Sequence, residues 1–113
     1  MMMMMVGTHP GRIPFESHIE KLKEPARSTL VDLRKFVISL GSNVIEEIRP
    51  HRIVYSKTMN FRTFLDIEPM GGDSLTLSIK YDRHKPSITV IVMTMEDAER
   101  VKKQIGEAYQ KIH

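Results

Sequence analysis

Leu75-Thr76-Leu77-Ser78-Ile79-Lys80-Tyr81-Asp82 alternates apolar and polar residues without a break. A period of two is the mark of a strand with one face buried and one face wet. Working upstream, Pro69-Met70-Gly71-Gly72-Asp73 reads as a turn. Before it, Phe61, Thr63, Leu65 and Ile67 alternate with Arg62, Phe64, Asp66 and Glu68. Downstream, Asp82-Arg83-His84-Lys85-Pro86 is a second turn, and Ile88 to Met93 is an apolar run with β-branched residues. Such a run reads as a central strand. His51 to Lys57 is rich in β-formers, namely Ile53, Val54 and Tyr55. Short connections between consecutive strands demand antiparallel pairing. Val44 to Pro50 is ambiguous. Val44, Ile45 and Ile48 fit a helical turn, yet Glu46 and Glu47 together spoil a clean alternation, so it reads as a strand-like entry or one irregular turn.

The flanks carry the helical period. Phe15, Ile19 and Leu22 are spaced by four and three, which predicts one short amphipathic helix. Pro25 ends or kinks that piece and suits the first turn of the next. Ala26, Leu30, Leu33, Val37 and Leu40 then recur at helical spacing, with Gly41 placed for a left-handed C-cap. Thr94 is the expected N-cap of a last helix, with Asp97 three residues on as a capping box. Met95, Ala98, Val101, Ile105, Ala108 and Ile112 mark its apolar face. Gly106 inside it costs about 1 kcal/mol relative to Ala. The expected fold is a two-layer α+β domain over residues 14–113, with a tail at 1–13. Its four-stranded antiparallel meander is covered on one face by helices, in the order α-α-β-β-β-β-α. The other face would show Thr76, Ser78, Lys80, Thr89 and, in one register, Arg52 and Arg62.

The chain has 113 residues, which suits one domain and not two. It has no cysteine, which excludes disulfide scaffolds, cysteine-ligated zinc, iron–sulfur clusters and thiol nucleophiles. That fits a reducing cytoplasm, the expected location. The start, Met1 to Met5, is apolar, but it lacks a basic n-region and a cleavage site, so it reads as a tail and not a signal peptide. A methionine patch for an apolar partner is the other reading. No apolar stretch approaches the roughly 18 residues of a membrane span, so no membrane partner is expected.

Seventeen basic residues stand against fourteen acidic ones. Residues 49–62 nonetheless hold Arg49, Arg52, Lys57 and Arg62, with His51, and no acid. Lys80, Arg83 and Lys85 form a second cluster beside Asp82. Brought together by the hairpins, these would make a cationic strip suited to phosphate. The same charges also suit a guarded sheet edge. Tyr55 and Phe64 are the aromatics nearest the strip that could stack on bases, while Phe15, Phe36 and Phe61 read as core. Metal and hydrolytic patterns fail. No histidine pair has zinc-helix spacing. Asp73 followed by Ser78-Ile79-Lys80 has a nuclease layout but puts Ser where the second carboxylate belongs. No cofactor, metal or catalytic residue is expected, and the enzyme reading ranks last.

Leu40-Gly41, Val44-Ile45-Glu46-Glu47, Arg52-Ile53-Val54-Tyr55, Asn60-Phe61, Leu75-Thr76-Leu77, Glu96-Asp97, Val101, Ile105 and Ala108-Tyr109 carry a resemblance. Together they resemble a small prokaryotic domain family of unknown function. The family occurs alone or fused to predicted nucleases and restriction-system proteins, and some members are labelled "predicted transport protein". The resemblance covers about residues 15–112. The family pattern has a longer segment with Gly and Trp before the final strand, where this chain has Asp82 to Pro86 and no Trp. What the resemblance implies is an accessory domain working beside nucleic-acid systems.

Three functions follow as expectations. The first is a non-catalytic accessory module that binds nucleic acid or another polyanion weakly, through phosphate, at Arg49, His51, Arg52, Lys57, Arg62, Lys80, Arg83 and Lys85. The second is a protein-interaction module, as a homodimer or with another partner, using an exposed strand edge or the Met-rich tail. The third is a small-ligand carrier with a pocket lined by Tyr55, Phe64 and Tyr109.

Overall fold

The structure, a computed structural model, describes residues 13–58, 62–82 and 84–112. The expected tail therefore lies outside the described residues apart from Ile13, as do Phe61 and Arg83. The element order is α1 (Glu16–Ile19), α2 (Ala26–Ile38), β1 (Val44–Ile48), β2 (Ile53–Lys57), β3 (Thr63–Met70), β4 (Ser74–Ile79), β5 (Ile88–Val92) and α3 (Met95–Lys111). The expected α+β class, with one antiparallel sheet and helices, is what the chain adopts. Among the described residues the sheet has five strands and not four, in the order β1-β2-β3-β4-β5, with every neighbouring pair antiparallel.

The fifth strand is the segment that was ambiguous. Val44, Glu46 and Ile48 lie opposite Lys57, Tyr55 and Ile53, which places all six on the helix side of the sheet. Glu46 spoils the apolar alternation because a carboxylate occupies an inward position. Arg34 on α2 makes that possible. Its Nε donates to Glu46 Oε2 at 2.8 Å and its Nη2 donates to Oε1 at 2.9 Å. A second correction concerns Ile88 to Met93, which is an edge strand and not a central one. Only Val92 within β5 is buried.

The alternation in β4 is kept residue for residue: Leu75, Leu77 and Ile79 are buried, and Ser74, Thr76 and Ser78 are half-buried. The β3–β4 turn uses Gly71 and Gly72 at φ of 63° and 90°, values that L side chains rarely adopt. In β3 the pattern slips once. Tyr55 faces Leu65 while Ser56 faces Thr63, so Phe64 is the extra residue of a bulge. The slip turns both Phe64 and Leu65 into the core.

The core lies between the sheet and the helices. Leu30, Leu33 and Val37 of α2 and Ala98, Val101, Ile105 and Ala108 of α3 are buried against Ile53, Tyr55, Leu65, Ile67, Leu75 and Leu77. Burying each large aliphatic or aromatic side chain stabilises by roughly 1.5–3 kcal/mol. The capping box of α3 is complete. The Thr94 hydroxyl accepts from the Asp97 N–H at 3.2 Å, and the Asp97 carboxylate accepts from the Thr94 N–H at 3.2 Å. Gly41 does not take the left-handed conformation expected of a C-cap, and the cap of α2 is Ser39. Its lack of a Cβ has another use, because a Cβ there would collide with the Tyr109 hydroxyl and with Asn43.

Both α2 and α3 begin at the sheet end that carries the β3–β4 turn. Lys23, just before α2, donates its N–H to the Gly72 carbonyl at 2.6 Å. The α3 cap follows Val92, which faces Leu75 at the start of β4. At the opposite end Lys57 donates to the Ile112 carbonyl at 3.2 Å. The helices cover one face only. The open face carries Ile45 and Glu47, then Arg52 and Val54, then Asp66, Glu68 and Met70, then Thr76 and Ser78, and last Thr89 and Ile91.

Candidate functional site

Of the eight basic residues expected to form one strip, Arg83 lies outside the described residues and the other seven fall into two separate groups. Arg49, His51 and Arg52 belong to the β1–β2 connection, and Arg52 projects onto the open face. Arg52 is already spent on acids, with Nη1 at 3.0 Å from Asp66 Oδ2 and Nη2 at 3.6 Å from Glu68 Oε1. Arg49 donates to Glu47 Oε1 at 3.0 Å. That bond holds the Glu47 carboxyl below its usual range and raises the Arg49 guanidinium. This end of the sheet is therefore mixed in charge, and the positive field expected there is divided among local ion pairs.

Lys57 and Arg62 lie at the other end, with Lys80 and Lys85. The length of β2 separates the groups by about 17 Å, at roughly 3.3 Å per residue. The faces differ as well. Positions 52 and 57 are five apart, an odd number, so along one strand they point to opposite faces. Lys57 points to the helix layer, with Nζ 4.7 Å from the centre of the Tyr109 ring. Odd spacing was a signal available in the sequence. Lys80 and Lys85 flank the β4–β5 connection, where the Lys85 N–H bonds to the Asp82 carbonyl at 3.1 Å.

Of the three aromatics expected to line a pocket, Tyr55 and Phe64 are built into the core and Tyr109 packs half-buried against it. Tyr55 and Phe64 are fully buried, so neither offers a face to a base. The Phe64 and Tyr109 rings meet edge to face at 5.4 Å between centres. The Tyr55 hydroxyl donates to Glu46 Oε2 at 2.7 Å, and burial, with the nearby carboxylate, pushes its pKa far up. Among the described residues no group of three or more His, Asp or Glu is arranged to hold a metal ion. No described helix is long and apolar enough to cross a membrane.

The feature that stands out is β5. A sheet edge presents unpaired backbone N–H and C=O groups that template pairing with another chain. Among the described residues the sheet has two edges, β1 and β5, and their side chains differ. β1 carries adjacent acids, one of them pointing inward and held by Arg34, and both devices block strand addition. β5 reads Ile88-Thr89-Val90-Ile91-Val92, with no charge and no proline, and its pairing to β4 is regular from end to end. Ile91 is 56% exposed, Ile88 43% and the adjacent Met93 45%. Ile91 and Met93 continue the open face, while Ile88 is exposed on the helix side, so apolar surface borders the edge on both faces. An apolar run of this kind is ordinarily found covered.

No family model matches the chain, and no curated protein and no solved structure matches it.

Proposed function

We propose that this chain is a protein-interaction module that works by strand addition at β5. One observation carries the reading: β5 is an uncharged, unbulged edge with Ile88, Ile91 and Met93 exposed around it, while the opposite edge is guarded by Glu46 and Glu47. Main-chain hydrogen bonds would supply most of the attraction, and apolar contact with the exposed Ile88 and Ile91 side chains the selectivity. A photo-crosslinking residue in place of Ile91, in cells that express the chain, tests this against the same residue in place of Glu47. Adducts should form at position 91 and join it to an extended segment. A yield at 91 no greater than at 47 would overturn the reading.

Weak polyanion binding is a second reading, favoured by the gathering of Lys57, Arg62, Lys80 and Lys85 at one sheet end. Phosphate contacts of this kind lose affinity steeply with salt. Fluorescence anisotropy with labelled single- and double-stranded nucleic acids, at low and moderate salt, should show salt-sensitive binding that Lys80→Ala/Lys85→Ala reduces. Binding unaffected by that double substitution would remove this site.

A further inference from the structure

We infer that the strand received by β5 is the β5 of a second copy of this chain, paired antiparallel about a two-fold axis through Val90. The inference rests on the reading of β5 as the binding edge and names its occupant.

Three features of the segment favour self-pairing. The first is register. A two-fold axis through Val90 sets Val90 against the partner's Val90, Ile88 against the partner's Val92, and Thr89 against the partner's Ile91. All five residues then pair, and the helix-side residues Ile88, Val90 and Val92 meet only helix-side residues. A shift by one residue would set each against a residue of the open face, which the pleat forbids. A shift by two would pair three residues in place of five.

The second is charge. Antiparallel self-pairing brings the start of each β5 beside the end of the other. The connection that precedes β5 carries Lys80, Arg83 and Lys85 against a single acid, Asp82. The α3 start that follows β5 carries Glu96, Asp97 and Glu99, three acids that Arg100, 3.5 Å from Glu96 and Asp97, and Lys102, bonded to Glu99, offset only in part. Each basic connection would therefore lie against the other copy's acidic helix start, twice per dimer. Such complementarity sets orientation and rejects the parallel alternative, which would place like charges together.

The third is coverage. Self-pairing would make one continuous ten-stranded sheet with the helices of both copies on the same side, and would remove an edge from each. Ile88, half-exposed beyond the helices, would gain Val92 of the second copy as a neighbour. Ile91 would gain Thr89. An isologous contact of this kind closes on itself and does not propagate to fibres, which the free β5 edge otherwise invites.

Sedimentation of the full chain over a concentration series tests this with two variants at exposed positions. Thr89→Lys/Ile91→Lys sets lysines opposite each other in both symmetric pairs and should weaken dimerisation by roughly tenfold or more. Thr89→Glu/Ile91→Lys sets a carboxylate opposite a lysine in the same register and should return the dimer to near its original strength. A dimer that Thr89→Lys/Ile91→Lys leaves intact, or that Thr89→Glu/Ile91→Lys fails to restore, overturns this pairing. A monomer at every concentration overturns it too. In that case an adduct at position 91 with a different chain keeps strand addition as the function, and the lack of one removes both. Circular dichroism of each variant separates lost pairing from lost folding.

Discussion

Arg34 grips Glu46 with two parallel hydrogen bonds, 2.8 and 2.9 Å long, across the junction of α2 and β1. The Tyr55 hydroxyl donates to the same carboxylate from the neighbouring strand. The Arg34 guanidinium also sits 4.1 Å from the centre of the Phe15 ring. One half-buried carboxylate thus ties together the first helical segment, α2, β1 and β2.

Glu46→Ala would leave the buried Tyr55 hydroxyl and the Arg34 guanidinium without this acceptor. Charge-assisted bonds contribute about 1.5–3 kcal/mol where they are shielded, and Arg34 is partly solvated, so a loss of about 2 kcal/mol is expected. Tyr55→Phe removes one bond only and should cost about 1 kcal/mol. Urea denaturation of both variants checks the size and the order. A smaller loss for Glu46→Ala than for Tyr55→Phe would contradict the shared-acceptor geometry.

The hydroxyl of Tyr55 has its pKa raised, first by burial and then by Glu46. The folded state therefore holds its proton where the unfolded chain has released it. Stability from this group is fully present below the ordinary tyrosine value of 10.0 and is lost as pH rises above it. Alkaline unfolding should begin above that value, with the last phenolate absorbance appearing together with loss of ellipticity. Tyr55→Phe should flatten the alkaline limb. A Tyr55 phenolate that titrates reversibly in the folded protein would refute this.

Asp97 accepts from the Met93 and Thr94 N–H groups, and those bonds, the Met93 bond foremost, hold its carboxyl below the ordinary 3.8. The sign is the reverse of the tyrosine case. The capping contribution is present above the unfolded value and is lost as pH falls through the lower folded value. Asp97→Asn should remove that acid-limb dependence. Thr94→Ala removes the other half of the box and should cost about 1 kcal/mol at neutral pH. Thermal unfolding across acid pH reads both.

Gly41 faces Tyr109 so closely that a methyl group would strike the hydroxyl and come within 2.7 Å of Asn43 Oδ1. The Tyr109 hydroxyl itself donates to that Asn43 oxygen. Gly41→Ala is expected to destabilise by roughly 1–3 kcal/mol, against the small gain that replacing glycine usually brings. In a Tyr109→Phe background the hydroxyl is gone, so the cost of Gly41→Ala should shrink. Equal costs in the two backgrounds would mean that the two sites are not coupled.

Local period carried most of the fold. The alternation of β4, the helical spacing in α2 and the Thr94–Asp97 cap each depend on residues a few positions apart, and each reads directly from the chain. What escaped reading depends on distant partners. β1 looked irregular because Glu46 is inward-facing only by virtue of Arg34, twelve residues away and on another layer. The run from Ile88 to Met93 looked central because apolar composition normally implies cover on both faces, and here its outer side is open. The expected strip failed for two reasons. Lys57 is an odd number of residues from Arg52, and the acids that pair with Arg52 sit on a different strand, so their proximity needed the β2–β3 register. That register contains the Phe64 bulge, which no local pattern announces.

The packing of α2 against α3 has a consequence for the order of synthesis. A ribosome makes α2 before the strands and α3 after them, yet Lys102 of α3 reaches Asp32 of α2 at 2.8 Å and the two helices share one core. Each strand can pair with its predecessor as soon as it emerges, so the sheet can grow hairpin by hairpin. The apolar side of that sheet and of α2 stays uncovered until the residues after Thr94 leave the exit tunnel. Translation stopped between the end of β5 and that cap would yield a chain with paired strands and half a core, dependent on chaperones for its solubility.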